Sequence, residues 1–115
     1  MPVTIWHNPR CSKSRQTLSL LEERDVAPEI VLYLEEPPSP EQLDAVLGMM
    51  NREPREVMRA GEAVYKELGL GDPTLDRSAL IRAMSENPIL IERPIVIYDG
   101  QAAIGRPPES VLKIL

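Results

Sequence analysis

Cysteine and histidine are almost absent from this chain, with one of each among 115 residues. A single cysteine makes no internal disulfide and no cysteine-rich metal site, and one histidine beside it is too few for structural zinc. No resident metal is therefore expected, and a free thiol points to the reducing cytoplasm. A basic excess is lacking as well. The net charge is −5 and no basic run occurs, which argues against nucleic acid or an anionic membrane as a general partner. The longest apolar runs are of strand length, far short of the roughly 20 residues of a membrane span. Met1-Pro2-Val3-Thr4 carries no basic region followed by a long apolar one, so no signal peptide is expected.

What is present suits one folded domain over 1–115. The apolar fraction of 43% is ordinary, and the length suffices to bury one core without staples. Proline is abundant, at 12 residues, about twice the usual share of roughly 5%. The prolines fall where elements begin or end, as rigid turns would, and do not cluster into a linker.

Val3 to Trp6 reads as a short strand, and Ser12 to about Arg24 as a helix with Leu18 and Leu21 on its apolar face. Glu29-Ile30-Val31-Leu32-Tyr33-Leu34 follows as a strand buried on both faces, closing a right-handed parallel βαβ unit. Ser39-Pro40 with Gln42 predicts a capped helix that ends near Gly48. A second helical region spans Pro54 to Leu68, interrupted near Gly61, and Asp76 caps a third that ends at Asn87-Pro88. Pro94–Tyr98 and Gln101–Ile104 flank Asp99-Gly100, the preferred pair for a type I′ hairpin turn. A final short helix follows Pro108. The order is β-α-β, an all-helical insertion at about 39–87, then β-β-α. That is an α/β arrangement with a mixed sheet, as in a thioredoxin-like fold.

The candidate site is His7-Asn8-Pro9-Arg10-Cys11-Ser12-Lys13-Ser14-Arg15, which leads from strand to helix. Most single cysteines are small core hydrophobes. Here the flanks are polar and charged, and Cys11 falls where unpaired helix N–H groups and the helix dipole favour an anion. Such a place stabilises a bound oxyanion or the thiolate itself. Cys-x-x-Ser lacks the second thiol of a redox pair, so any redox cycle needs an outside thiol. Thr17 stands where a Cys-x5-Arg phosphate cradle would have arginine. His7 admits two readings: an imidazolium that supports the thiolate, or a hydrogen-bonded strand-end histidine. Arg93 and Arg106 each precede a proline at a strand end, where a cis bond is accessible. Guanidinium groups bind tetrahedral oxyanions through paired donors. Whether these arginines converge on Cys11 is for the tertiary structure to decide.

Several stretches in series then resemble one family. They are His-Asn-Pro-x-Cys-x-x-Ser-Arg at 7–15, Leu-Tyr-Leu-Glu-x-Pro-Pro at 32–38 and a Glu/Tyr-containing helix ending Leu-Gly-Leu at 68–70. Asn-Pro-Ile-Leu-Ile-x-Arg-Pro-Ile-Val at 87–96 and Arg-Pro-x-Glu-x-Val-Leu at 106–112 complete the set. Together they resemble the ArsC/Spx family, in its glutaredoxin-linked arsenate reductase branch. The resemblance is to the short form, expected to lack the C-terminal tail of longer members. It implies a thioredoxin-like fold with Cys11 as nucleophile, His7 as the histidine that favours the thiolate, and Ser14 as the hydroxyl near it. Arg59, Arg93 and Arg106 match the arginines that hold the oxyanion, and Pro94 the cis-proline facing the cysteine. Arg59 is assigned by the resemblance alone. The implied activity is reduction of arsenate, with glutathione and glutaredoxin as external reductants and no bound cofactor. Two other readings are an Spx-like regulator that binds RNA polymerase, which typically carries Cys-x-x-Cys, and a thiol-redox protein with another substrate.

Overall fold

The computed structural model describes residues 2–115. Strand β1 (Thr4–Trp6) pairs in parallel with β2 (Glu29–Val31) on one side and antiparallel with β3 (Ile95–Tyr98) on the other. Strand β4 (Gln101–Ile104) pairs with β3, so the sheet order is β2-β1-β3-β4. Ile5 stands opposite Ile30 and Val96, and Trp6 opposite Val31 and Ile95. Asp99 and Gly100 take φ 49° and 74° between β3 and β4, the left-handed pair that matches the twist of a two-residue hairpin. This mixed sheet, with its β-α-β start and β-β finish, is that of a thioredoxin-like fold.

Helix α1 (Ser12–Glu23) links β1 to β2. It ends in a Schellman motif: Asp25 is left-handed at φ 60°, its N–H donates to Glu22 O, and Val26 N–H donates to Leu21 O. Leu21 is thereby held in a core with Val3, Ile5, Val96 and Val111, against which Val26 also packs. Burying side chains of this size contributes roughly 1.5–3 kcal/mol each. Val111 comes from a closing 3-10 helix, Pro108–Ile114, where a short final helix was expected. All these elements belong to one compact unit, the chain up to Glu36 together with Arg93–Leu115.

The second strand departs from expectation. It is three residues long, not six, and Ile30 and Leu34 are 48% and 40% exposed. The reason is its place at the sheet edge, where it has a neighbour on one side only. Beyond Val31 the chain turns, with the N–H groups of Glu35 and Glu36 both donating to Leu32 O, and only Tyr33 is fully buried.

Pro37–Glu92 forms a second compact unit. Helix α2 (Pro40–Met50) starts with a complete capping box: Gln42 N–H donates to Ser39 Oγ, and Ser39 N–H to Gln42 Oε1. Its last residue, Met50, lies two beyond Gly48, and left-handed Asn51 caps it. The expected helical region 54–68 is split into a 3-10 turn, Pro54–Val57, and a short α3 (Ala63–Glu67). Between them Met58 is extended and bridges Ile91, with Arg59 N–H donating to Leu90 O and Glu92 N–H to Val57 O. Backbone bonds across to 90–92 replace the bonds along a helix. Helix α4 (Arg77–Glu86) is capped by Asp76 Oδ1, which accepts from Ala79 N–H at 2.8 Å, and a 3-10 turn, Pro88–Leu90, follows. Leu43, Leu47, Val57, Met84 and Leu90 are fully buried. No helix among the described residues is long and apolar enough to cross a membrane.

Candidate active site

Cys11 occupies the N-cap of α1 with extended backbone, and its side chain makes no capping bond. The loop before it is built by Asn8. Asn8 O accepts Cys11 N–H at 3.0 Å, Asn8 Oδ1 accepts Arg10 N–H at 3.0 Å, and Pro9 presets the turn between them. Arg15, one turn into α1, donates from Nη1 to Pro9 O at 2.9 Å and ties the loop to the helix. The thiol is left half-buried at a helix N-terminus, where the first-turn N–H groups have no intrahelical acceptor.

Beneath the loop lies a buried polar pair. Ser14 Oγ is hydrogen-bonded to His7 Nδ1 at 2.6 Å and accepts Asn8 N–H at 3.0 Å. Both side chains are buried, and His7 N–H donates to Val31 O. The ring tautomer decides who donates in the pair. With the proton on Nε2, Ser14 O–H donates to Nδ1; with Nδ1 protonated, the hydroxyl proton is released to another acceptor. Burial, and then the positive charge of Arg15, lower the His7 pKa below its usual value. The neutral ring is favoured. An imidazolium beside the thiolate, one of the two readings of His7, is therefore opposed by its own surroundings.

Positive charge reaches the thiol from the other end of the chain. Arg106 Nη2 lies 3.8 Å from Cys11 Sγ, and Arg106 Nε donates to Arg93 O at 2.8 Å. Two arginines separated in sequence are thus joined, one guanidinium to the other's carbonyl. The side chain of Arg93 carries a buried Nε with no hydrogen-bond partner among the described residues. The Arg93–Pro94 and Arg106–Pro107 peptide bonds are both cis. Pro94 is buried, and its carbonyl accepts Gly105 N–H at 2.9 Å.

Cys11, His7, Ser14, Arg93, Pro94 and Arg106 all belong to the sheet-bearing unit. Arg59 belongs to Pro37–Glu92, where its half-buried guanidinium pairs with Glu62 at 2.7 Å. Sequence reasoning missed Asn8, Thr17 and Gly105. The Asn-Pro pair of residues 8 and 9 is a turn signal that could have pointed to the first. The other two matter through packing with distant segments, which no local pattern reports. No group of three or more His, Cys, Asp or Glu side chains that could hold a metal occurs among the described residues.

A lone, half-buried thiol at the first helix of a thioredoxin-like unit, faced by an arginine, defines a one-cysteine thiol protein of the thioredoxin-like class. The comparisons make this specific. Residues 6–114 match the ArsC family, and the chain belongs to it. It is 55% identical to the uncharacterized protein YfgD of Escherichia coli (strain K12), over 98% of this chain and 96% of that one. It is 49% identical to an arsenate reductase of Neisseria meningitidis (strain MC58), over 98% and 97% of the two chains. Among solved structures, an arsenate reductase from Vibrio cholerae superposes with TM-score 0.97 at 54% identity, covering 100% of this chain and 98% of that one.

Proposed function

We propose that this protein reduces arsenate to arsenite with glutathione and glutaredoxin as external thiols. The observation that carries the proposal is the placement of Arg106 at 3.8 Å from the only thiol of the chain, held there by the Arg93 carbonyl. A nucleophile and a guanidinium converge where the N–H groups of a helix start are open, which suits thiol attack on a tetrahedral oxyanion. The arsenate reductase names of relatives at about half identity point the same way.

In this reading the Cys11 thiolate attacks arsenic and an arsenate oxygen leaves as water, giving a cysteine–arsenic(V) adduct. Glutathione adds to the arsenic with loss of a second water. Glutaredoxin then attacks the glutathione sulfur, and two electrons pass to arsenic as the glutaredoxin–glutathione disulfide forms. Hydrolysis releases arsenite and regenerates Cys11. Arg93 and Arg106, with Arg59 assigned by resemblance, would hold the oxyanion through charge-assisted bonds. His7 and Ser14 would set the thiol loop, and Pro94 would line the centre. A one-cysteine protein needs this external relay, because it has no second thiol to close a disulfide.

The test is NADPH oxidation in an assay coupling arsenate, glutathione, glutaredoxin and glutathione reductase. Turnover that vanishes in Cys11→Ser, and falls at least about tenfold in kcat/KM in Arg106→Ala, is the expected result, since losing a charged hydrogen-bond partner costs about 1.5–3 kcal/mol. No arsenate-dependent turnover from a folded protein with a reactive thiol overturns the proposal. Stable capture of RNA polymerase by that inactive protein would favour a regulator instead.

A further inference from the structure

Gly105 sits between the two arginines of the site and is buried, yet its φ is not in the left-handed region, so backbone freedom is not why glycine stands there. The reason is space. A Cβ at this position would lie 2.5 Å from Thr17 Oγ1, 2.8 Å from Pro94 Cγ and 3.2 Å from Pro94 Cδ. None of these atoms is the loose end of a long side chain. Thr17 is fully buried, and its hydroxyl donates to Lys13 O at 2.8 Å within α1; the Pro94 ring is closed on its own backbone. Three segments therefore meet at a point that holds no side chain: the second turn of α1, the Arg93–Pro94 turn, and the end of β4.

The same residue is tied to the centre through the backbone. Gly105 N–H donates to Pro94 O at 2.9 Å, and Arg106 N–H folds back onto Ile104 O at 2.9 Å. From that start the Arg106 side chain reaches Arg93 O with Nε and Cys11 Sγ with Nη2. A shift of a few tenths of an ångström at 105 is transmitted to a guanidinium whose distance from sulfur these bonds help to set. We propose that Gly105 is a positioning residue for the thiol centre: the missing side chain lets the 104–106 segment seat on Thr17 and Pro94, which aims Arg106 at Cys11.

The proposal stands on geometry and does not require that arsenate be the substrate. It is tested by alkylating Cys11 with two reagents of similar size, anionic iodoacetate and neutral iodoacetamide. Arg106 attracts only the first, so the ratio of the two rate constants reads the guanidinium at the sulfur and is insensitive to general loosening. Removing Arg106 should lower the ratio about fivefold, the scale of one charge at this distance in water. Gly105→Ala should lower it most of the way to the Arg106→Ala value. Leu21→Ala, a core truncation ten residues along α1 from Cys11, should lower the melting temperature and leave the ratio unchanged. An unaltered ratio in folded Gly105→Ala, or an equal fall in Leu21→Ala, overturns the proposal. If Gly105→Ala does not fold, the comparison moves to the Thr17→Ala background, which removes the atom at 2.5 Å. There the double variant should still show a lower ratio than Thr17→Ala, because the Pro94 contact remains. Loss of the fold in both backgrounds would make Gly105 a requirement of the fold and not of the centre, and would equally overturn it.

Discussion

Replacing Ser14 with alanine removes a single oxygen that two buried partners share. Ser14 Oγ is bonded to His7 Nδ1 at 2.6 Å and accepts Asn8 N–H at 3.0 Å, and all three residues are buried. Alanine leaves a ring nitrogen and a backbone N–H without partners, at about 1–3 kcal/mol each. Against this, alanine is the better helix former by about 0.5 kcal/mol, and position 14 lies in the first turn of α1. The expected net loss is about 2–5 kcal/mol, a large share of the 5–15 kcal/mol typical of a domain. Melting should fall by roughly 10 °C or more. Urea unfolding at about pH 8, followed by circular dichroism, measures the loss. A double-mutant cycle with His7→Phe assigns it: with the ring nitrogen gone, removing Ser14 should cost about 1–2 kcal/mol less. A loss below about 0.5 kcal/mol, or additivity within the usual ~0.3–0.5 kcal/mol, would refute the reasoning that a shared hydroxyl holds the loop.

Two further outcomes follow from the same structure. Because burial and Arg15 lower the His7 pKa, the unfolded chain binds the proton more readily, so this contribution to stability is complete above about 6.5 and is lost as pH falls toward and through the folded-state value. The urea midpoint should drop more steeply between about pH 7.5 and 5 in the native sequence than in His7→Phe; parallel profiles would contradict it. Ser39→Ala opens the capping box of α2 and should cost about 1 kcal/mol, because Gln42 N–H is exposed and returns to water. A thermal-melt change outside roughly 0.5–2 kcal/mol would show that the box does something else.

The parts of the fold legible in the sequence are those settled by near neighbours. Ser39, Pro40 and Gln42 specify a helix start because the bonds they make close within three residues. Asp99-Gly100 specifies its hairpin because only residues tolerant of positive φ turn two antiparallel strands so tightly. Cys11 could be set at the start of α1 because its polar flanks and the strand before it are local. The apolar run at 29–34 misled for the opposite reason. Burial belongs to a strand's place in the sheet, and β2 is an edge. The region 54–68 misled because Met58 finds its backbone partner at Ile91, a pairing that helical periodicity does not encode.

By itself, then, the sequence determined the order of the strands and of the longer helices, the helix starts at Ser39 and Asp76, the Asp99-Gly100 turn, and the presence of one nucleophile among cations. Only the tertiary structure decided that Arg106 lies at Cys11 across 95 positions of chain, that Arg93 holds it there by a carbonyl, and that His7 is buried against Ser14. Caps and turns depend on bonds that close within a few residues. The environment of the thiol depends on which surfaces exclude water and which backbones come close enough to touch, and both are properties of the packed chain.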